Sequence, residues 1–72
     1  MKVKQLLNVM DNLEPVNVVL YAYGLEYAST WRDGMRTVEE VKNNLIYDGM
    51  NANVVRLSHG LGYTVIVASI TK

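Results

Sequence analysis

Few side chains in this sequence are of the types that perform catalysis or bind metal ions. His59 is the only histidine, it lies beside two glycines at a predicted turn, and the chain has no cysteine. A lone histidine has no second imidazole and no thiolate beside it, which excludes a histidine cluster or a cysteine metal site, and no serine has the context of a nucleophile. We therefore predict a solvated structural role for His59, no cofactor and no enzymatic activity.

The acidic and glycine-rich positions also have structural explanations. The acidic residues are spread over predicted helix ends and turns, and Glu39 and Glu40 are explained by helix capping. Gly60-Leu61-Gly62 has glycines spaced as in a phosphate loop, but it lacks the following helix and the lysine that such a loop needs. A hairpin turn is the better interpretation of this segment.

Aromatic and arginine side chains are the residues best suited to bind a partner. The predicted interaction residues are Tyr21, Tyr23, Tyr27, Trp31, Arg32 and Arg56. Such residues form stacking platforms for single-stranded nucleic acid, and they are also enriched at the hot spots of protein interfaces. Seven basic and seven acidic side chains cancel, so the chain lacks the field that attracts nucleic acid or anionic membrane. We favour protein binding, and nucleic-acid binding through Tyr21, Tyr23, Trp31 and the nearby arginines is the alternative.

These residues lie on or near a stretch that occurs twice, at residues 17–27 and 53–63. Asn, Val, Val, Gly, Leu and Tyr recur in register between the two copies. Each copy is an apolar run, a glycine turn and a second apolar run, which is the pattern of a β-hairpin. The sequence therefore predicts a single domain, residues 1–72, made of half-repeats of about 1–36 and 37–72.

Each predicted hairpin follows an amphipathic segment. A first helix is expected at about residues 2–13, ended by Pro15, and its apolar stripe is Val3, Leu6, Leu7, Met10 and Leu13. Thr37 and Glu40 form a capping box that begins a second helix at about residues 38–48. Gly49 is its expected C′ residue, and its stripe is Val38, Val41, Leu45 and Ile46.

The predicted strands are residues 16–23 and 25–31 in the first hairpin and 53–58 and 63–71 in the second. A two-residue Gly24-Leu25 loop suits a type II′ turn, which pairs Ala22 with Tyr27, Leu20 with Ser29 and Val18 with Trp31. Gly24 and Gly60 are assigned the positive φ that each turn needs. The resulting fold class is α+β, in the order αββαββ, with a four-stranded antiparallel-type sheet and two helices on one face.

Both faces of this sheet are expected to be apolar. In the first hairpin one face carries Val16, Val18, Leu20, Ala22, Tyr27 and Trp31, and the opposite face carries Val19, Tyr21 and Tyr23. In the second hairpin one face carries Val55, Leu57, Ile66 and Ile70, and the other carries Val54, Tyr63, Val65 and Val67. Helices on one face cover only one of these sets, and soluble monomers rarely leave a large apolar surface open. We therefore predict a homodimer or a higher even-numbered oligomer, with Trp31 and Tyr27 as its anchors.

The whole chain also resembles a class of small proteins. The opening residues 1–7, the apolar strand that begins at Val16, the Asp33-Gly34 pair before a Thr-Val-Glu-Glu-Val helix and the apolar closing strand are similar to small accessory proteins of phages and prophages of Gram-positive bacteria. This resemblance implies a protein of the host cytoplasm that binds and modulates host or phage proteins, and it implies no catalytic residues. Polar residues interrupt the first apolar segment at Asn8, so we expect neither a signal peptide nor a membrane span.

Overall fold

The protein is described by a computed structural model that covers residues 1–45 and 47–70. In chain order, its elements are α1 (Val3–Asn8), β1 (Val16–Ala22), β2 (Leu25–Ser29), α2 (Val38–Asn44), α3 (Tyr47–Met50), β3 (Asn53–Gly60) and β4 (Tyr63–Ser69). Helices and a single four-stranded sheet confirm the predicted α+β class. Thr71, which was placed in the last strand, lies outside the described residues.

The strands are arranged in the order β2-β1-β4-β3, so each hairpin contributes one central strand and one edge strand. The central strands β1 and β4 run parallel, with Val18 beside Ile66 and Val19 beside Val67. The sheet is therefore mixed, not wholly antiparallel as predicted. Parallel neighbours with near-continuous apolar sequences are typical of sheet centres, and β1 and β4 are the most apolar strands of the chain.

The core lies between the helices and one face of the sheet. Its fully buried residues are Val3, Leu7, Val16, Val18, Leu20, Val38, Val41, Ala52, Ile66 and Ala68. Val3 and Leu7 come from α1, and Val38 and Val41 come from α2. The helices thus cover the face that carries alternate residues of β1 and β4, as the period of two in a strand requires.

The first helix is shorter than its apolar stripe suggested. The amides of Val9 and Met10 donate to carbonyls only three residues back, and the Leu13 amide donates to the Asp11 carboxylate at 2.8 Å. Such a side-chain turn competes with the helical hydrogen bonds. The prediction of a helix to residue 13 was therefore wrong, and Leu13 is 77% exposed.

The capping box of the second helix is confirmed. The Glu40 amide donates to the Thr37 hydroxyl at 3.3 Å, and the Glu40 carboxylate accepts from the amides of Arg36 and Thr37 at 3.0 and 3.1 Å. These backbone donors, first Arg36 and then Thr37, hold the pKa of Glu40 below its ordinary value.

The segment after α2 differs from the prediction of one helix over residues 38–48. α2 ends at Asn44 and α3 follows, while Ile46 of the predicted stripe lies outside the described residues. Gly49 lies inside α3 and is not a C′ residue. A Cβ at this position would lie 2.9 Å from Leu45 Cδ1 and 3.1 Å from Leu20 Cδ1. Gly49 therefore lets α3 approach the sheet closely.

Both hairpins turn through a residue followed by glycine. Tyr23 and Gly24 have φ of 56° and 79°, and Leu61 and Gly62 have φ of 53° and 86°. Two positive φ values define a type I′ turn, whose twist matches that of paired strands. The predicted type II′ turn at Gly24-Leu25 was therefore wrong by one residue. The positive φ of Gly24 is confirmed, whereas in the second hairpin it belongs to Gly62 and not to Gly60.

This change of turn also changes the pairing of the first hairpin. Ala22 pairs with Leu25 and Leu20 pairs with Ala28, in place of the predicted Tyr27 and Ser29. A bulge between the two pairs leaves Tyr27 as an additional residue in β2. In the second hairpin a bulge likewise leaves Val55 between Val54, which pairs with Ala68, and Arg56, which pairs with Val67. A bulge reverses the expected alternation of faces beyond it.

Candidate interaction surface

The sheet face opposite the helices, here called the open face, carries seven large apolar or aromatic side chains. They are Val19, Tyr21, Trp31, Val55, Tyr63, Val65 and Val67. Val19 and Val67 are neighbours at its centre, and Val65 lies beside Asn17. The five strand residues that alternate with the buried core are only partly exposed, whereas Val55 is 66% exposed. Every helix residue of the buried core lies on the other side of the sheet.

One end of the open face is ordered by Trp31. Its indole ring lies 4.4 Å from the Tyr63 ring, centroid to centroid, and the Arg36 guanidinium carbon lies 4.8 Å from its centre. The Trp31 Nε1–H donates to the Val16 carbonyl at 2.6 Å. The ring is therefore fixed on three sides by an aromatic contact, a cation–π contact and a hydrogen bond.

Polar groups near this end are already satisfied within the chain. The Asn17 Oδ1 accepts from the Ser29 hydroxyl at 2.9 Å and from the Trp31 amide at 3.4 Å. The Asn17 side chain therefore links β1 to the end of β2 and to the turn that follows β2. A partner that covered the open face would not need to supply a hydrogen bond to this oxygen.

Of the six predicted interaction residues, the structure places three on the open face. Tyr21 and Trp31 lie there, and Arg56 lines a shallow groove of about 440 Å³ with Tyr21, Val55 and Val67. In the described part of the chain no side chain forms an ion pair with Arg56. The open face therefore combines an apolar surface with an unpaired cation at its edge.

The other three predicted residues lie elsewhere. Tyr23 is the first central residue of its turn and is 85% exposed, and Arg32 forms an ion pair with Glu26. Tyr27 lines a groove with Leu45 of the helical layer, because the bulge in β2 directs it to that side. The prediction that Tyr27 and Trp31 line one face together was therefore wrong.

A hydrogen-bonded cluster was missed by sequence reasoning. The Thr64 hydroxyl lies 3.0 Å from Glu14 Oε2 and 3.0 Å from His59 Nδ1. A carboxylate only accepts, so the hydroxyl donates to Glu14 and accepts from the Nδ1–H of His59. Thr64 is 2% exposed. The cluster ties the tip of the second hairpin to the loop before β1, and no sequence pattern joins residues so far apart.

Neither a metal site nor a membrane-spanning helix is found in the described residues. In the ranges 1–45 and 47–70, no three potential metal-ligating side chains of His, Cys, Asp or Glu lie together. No helix in those ranges is long and apolar enough to span a bilayer.

Comparison of the chain with protein families, with curated proteins and with solved structures found no match. The open face therefore has to be interpreted from its own geometry.

Proposed function

We propose that this protein is a non-enzymatic interaction module that self-associates through the open face. The observation that carries the proposal is the apolar centre of that face, where Val19 and Val67 lie side by side opposite the helix-covered core. Burial of this surface against a second copy would remove it from water, which is the main driving force of association. A two-fold contact gives a homodimer, and further contacts give higher even-numbered oligomers.

The size of the open face is consistent with a reversible dimer. Four strands about 4.8 Å apart, with about 3.3 Å per residue over seven residues, give a face of roughly 19 by 23 Å. Two such faces in contact cover roughly 900 Å² in projection, near the ~1,200 Å² lower end of stable interfaces. We therefore expect a dissociation constant on the order of micromolar rather than an obligate dimer.

Two variants of the same chemistry test where the copies meet. Val67→Lys places a charge at the centre of the open face. Val9→Lys places the same charge outside the sheet, at a position where the parent valine is 79% exposed. Sedimentation equilibrium should show at least a tenfold weaker dimer for Val67→Lys, because the ammonium group would have to be desolvated. Val9→Lys should match the parent protein. Equal weakening in both variants, or in neither, would contradict the proposed interface.

The resemblance to phage and prophage accessory proteins supports a setting for this module. In that setting it is a protein of the host cytoplasm that binds and modulates a host or phage protein. Affinity capture from infected or lysogenic cells, followed by mass spectrometry, tests the proposal. A protein recovered with the parent chain and lost with Val67→Lys would be a target of the open face.

Nucleic-acid binding is the second candidate, and one observation favours it. Tyr21 and Arg56 line the same groove, as a stacking residue and a phosphate-binding residue would. Against it, the Trp31 ring already contacts Tyr63 and Arg36, and the net charge is zero. An electrophoretic shift assay at low and moderate salt distinguishes the two, because binding to phosphates weakens steeply with salt. A salt-dependent shift would favour nucleic acid over protein binding.

A further inference from the structure

The outer edge of β3 is the longest uninterrupted strand edge that the described residues leave open. Every residue from Val55 to Gly60 is exposed, and the segment after the bulge pairs regularly with β4 from Arg56 to Gly60. The opposite edge, β2, is only five residues long, carries its bulge in mid-strand and is flanked by the ion pair between Glu26 and Arg32. Short length, bulges and charges are the features that protect strand edges.

The hairpin geometry shows which backbone groups of β3 face outward. Residues that flank a two-residue turn exchange hydrogen bonds, so Gly60 bonds to Tyr63 of β4. By alternation, Leu57 and His59 direct their N–H and C=O groups away from β4. These four groups are available to an added strand.

The chain itself already adds a short strand to the beginning of this edge. The Val54 amide donates to the Met1 carbonyl at 2.8 Å, and the Val3 amide donates to the Ala52 carbonyl at 3.0 Å. Lys2 forms an antiparallel bridge with Asn53. The backbone at this edge is thus in a geometry that accepts an antiparallel strand, and the described contacts with residues 1–3 involve Ala52, Asn53 and Val54.

The charge of this region indicates what kind of strand fits. Residues 51–72 contain no acidic side chain, and all seven acidic residues of the chain lie before them. Arg56 lies on the open-face side of β3, while Leu57 lies on the opposite side, where it is 45% exposed. A second copy of β3 carries no acidic residue that could pair with Arg56. An added strand with acidic residues on one side and apolar residues on the other would place an acidic side chain near Arg56 and an apolar side chain near Leu57.

We infer that the β3 edge binds an extended, acidic–apolar segment of a protein partner by antiparallel strand addition. The main-chain groups of Leu57 and His59 supply the hydrogen bonds, and Arg56 selects the acidic side chain. This inference rests on the proposed role as an interaction module, but it does not depend on self-association through the open face.

Two synthetic peptides test the inference. The probe is acetyl-Thr-Val-Glu-Val-Glu-Val-Thr-amide, and its control carries Lys in place of both Glu. Titration into the ¹⁵N-labelled protein at low salt should shift the amide resonances of Leu57 and His59. The glutamate peptide should bind about three- to tenfold more tightly than the lysine peptide, since exposed ion pairs contribute modestly. Arg56→Glu should reverse this order.

A second pair of variants separates the backbone from the side chain. Leu57→Pro removes an outward N–H at an edge where proline is tolerated, and it should abolish binding. Leu57→Ala keeps the N–H and should bind within about threefold of the parent. Equal affinity for the two peptides, no shifts at millimolar peptide, or shifts confined to β2 or the open face would overturn the inference. Sedimentation equilibrium of the same samples reports self-association independently, so either proposal can fail alone.

Discussion

The hairpin β1–β2 and the hairpin β3–β4 share a turn and an irregularity but use them differently. Each turns through a residue and a glycine with positive φ, and each has one bulge in its edge strand. In the first hairpin the bulge residue Tyr27 lies on the helix side, beside Leu45. In the second hairpin the bulge residue Val55 lies on the open side, beside Tyr21 and Val67. The bulge in β2 therefore adds a side chain to the helix-covered face of the sheet, and the bulge in β3 adds one to the open face.

The position of each bulge along its strand explains a second difference. The bulge in β2 interrupts a five-residue strand near its middle, whereas the bulge in β3 lies near the beginning of an eight-residue strand. A regular edge from Arg56 to Gly60 remains only in the second hairpin. Two hairpins with similar sequences therefore leave different strand edges open, because the additional residue is inserted at different places.

The turns give the largest expected effect on stability. Gly24→Val and Gly62→Val place a β-branched residue at φ of 79° and 86°, and each should lower the free energy of unfolding by about 2 kcal/mol. For a domain of this size, that is a loss of roughly 8–16 °C in Tm.

Gly60→Val is the matched control, because Gly60 is in β3 and has no close neighbour or positive φ. It should leave the Tm nearly unchanged. A larger loss for Gly60→Val than for Gly62→Val, measured by thermal denaturation, would mean that the second turn lies two residues earlier.

The helices α1 and α2, which precede the two hairpins, differ in how their N-termini are capped. α2 begins with a reciprocal capping box between Thr37 and Glu40, whereas before α1 only the Lys2 amide is capped, by the Gln5 side chain at 2.8 Å. Thr37→Ala should cost about 1 kcal/mol, or roughly 4–8 °C in Tm. Gln5→Ala should cost about 0.5 kcal/mol. Equal Tm values for Thr37→Ala and the parent would show that α2 does not depend on its cap.

Glu40, the other member of the capping box, is expected to have a smaller and pH-dependent effect on stability. Hydrogen bonds from the amides of Arg36 and Thr37 lower the pKa of Glu40 from its ordinary 4.5. Its contribution to stability is therefore complete above pH 4.5 and is lost as the pH falls through the lower, folded-state pKa. Glu40→Gln should be less stable than the parent at neutral pH, and the difference should shrink in acid. A difference that stays constant from pH 7 to pH 2 would contradict this assignment.

Much of the fold follows from local patterns in the sequence. The capping box at Thr37 and the strands near their observed positions were predicted because each depends on residues that are close in the chain. The side of β1 that the helices cover was not predicted. The parallel pairing of β1 and β4 was missed, since it joins residues about fifty positions apart and leaves no local pattern.

The errors at the candidate surface have one physical cause. Sequence periodicity assumes that faces alternate strictly, but each bulge breaks that alternation. Val54 was therefore assigned to the same face as Val67 although it pairs with buried Ala68, and Tyr27 was assigned to the same face as Trp31. Tyr63, Val65 and Val67 follow β4, which has no bulge, and their shared face was predicted.

Self-association through the open face is tested most directly by sedimentation equilibrium of the parent protein across a hundredfold range of concentration. If the open face binds a second copy, the average mass should rise from the 8.1 kDa of one chain toward twice that value, with a midpoint on the order of micromolar. A mass that stays at 8.1 kDa over the whole range would contradict self-association through the open face.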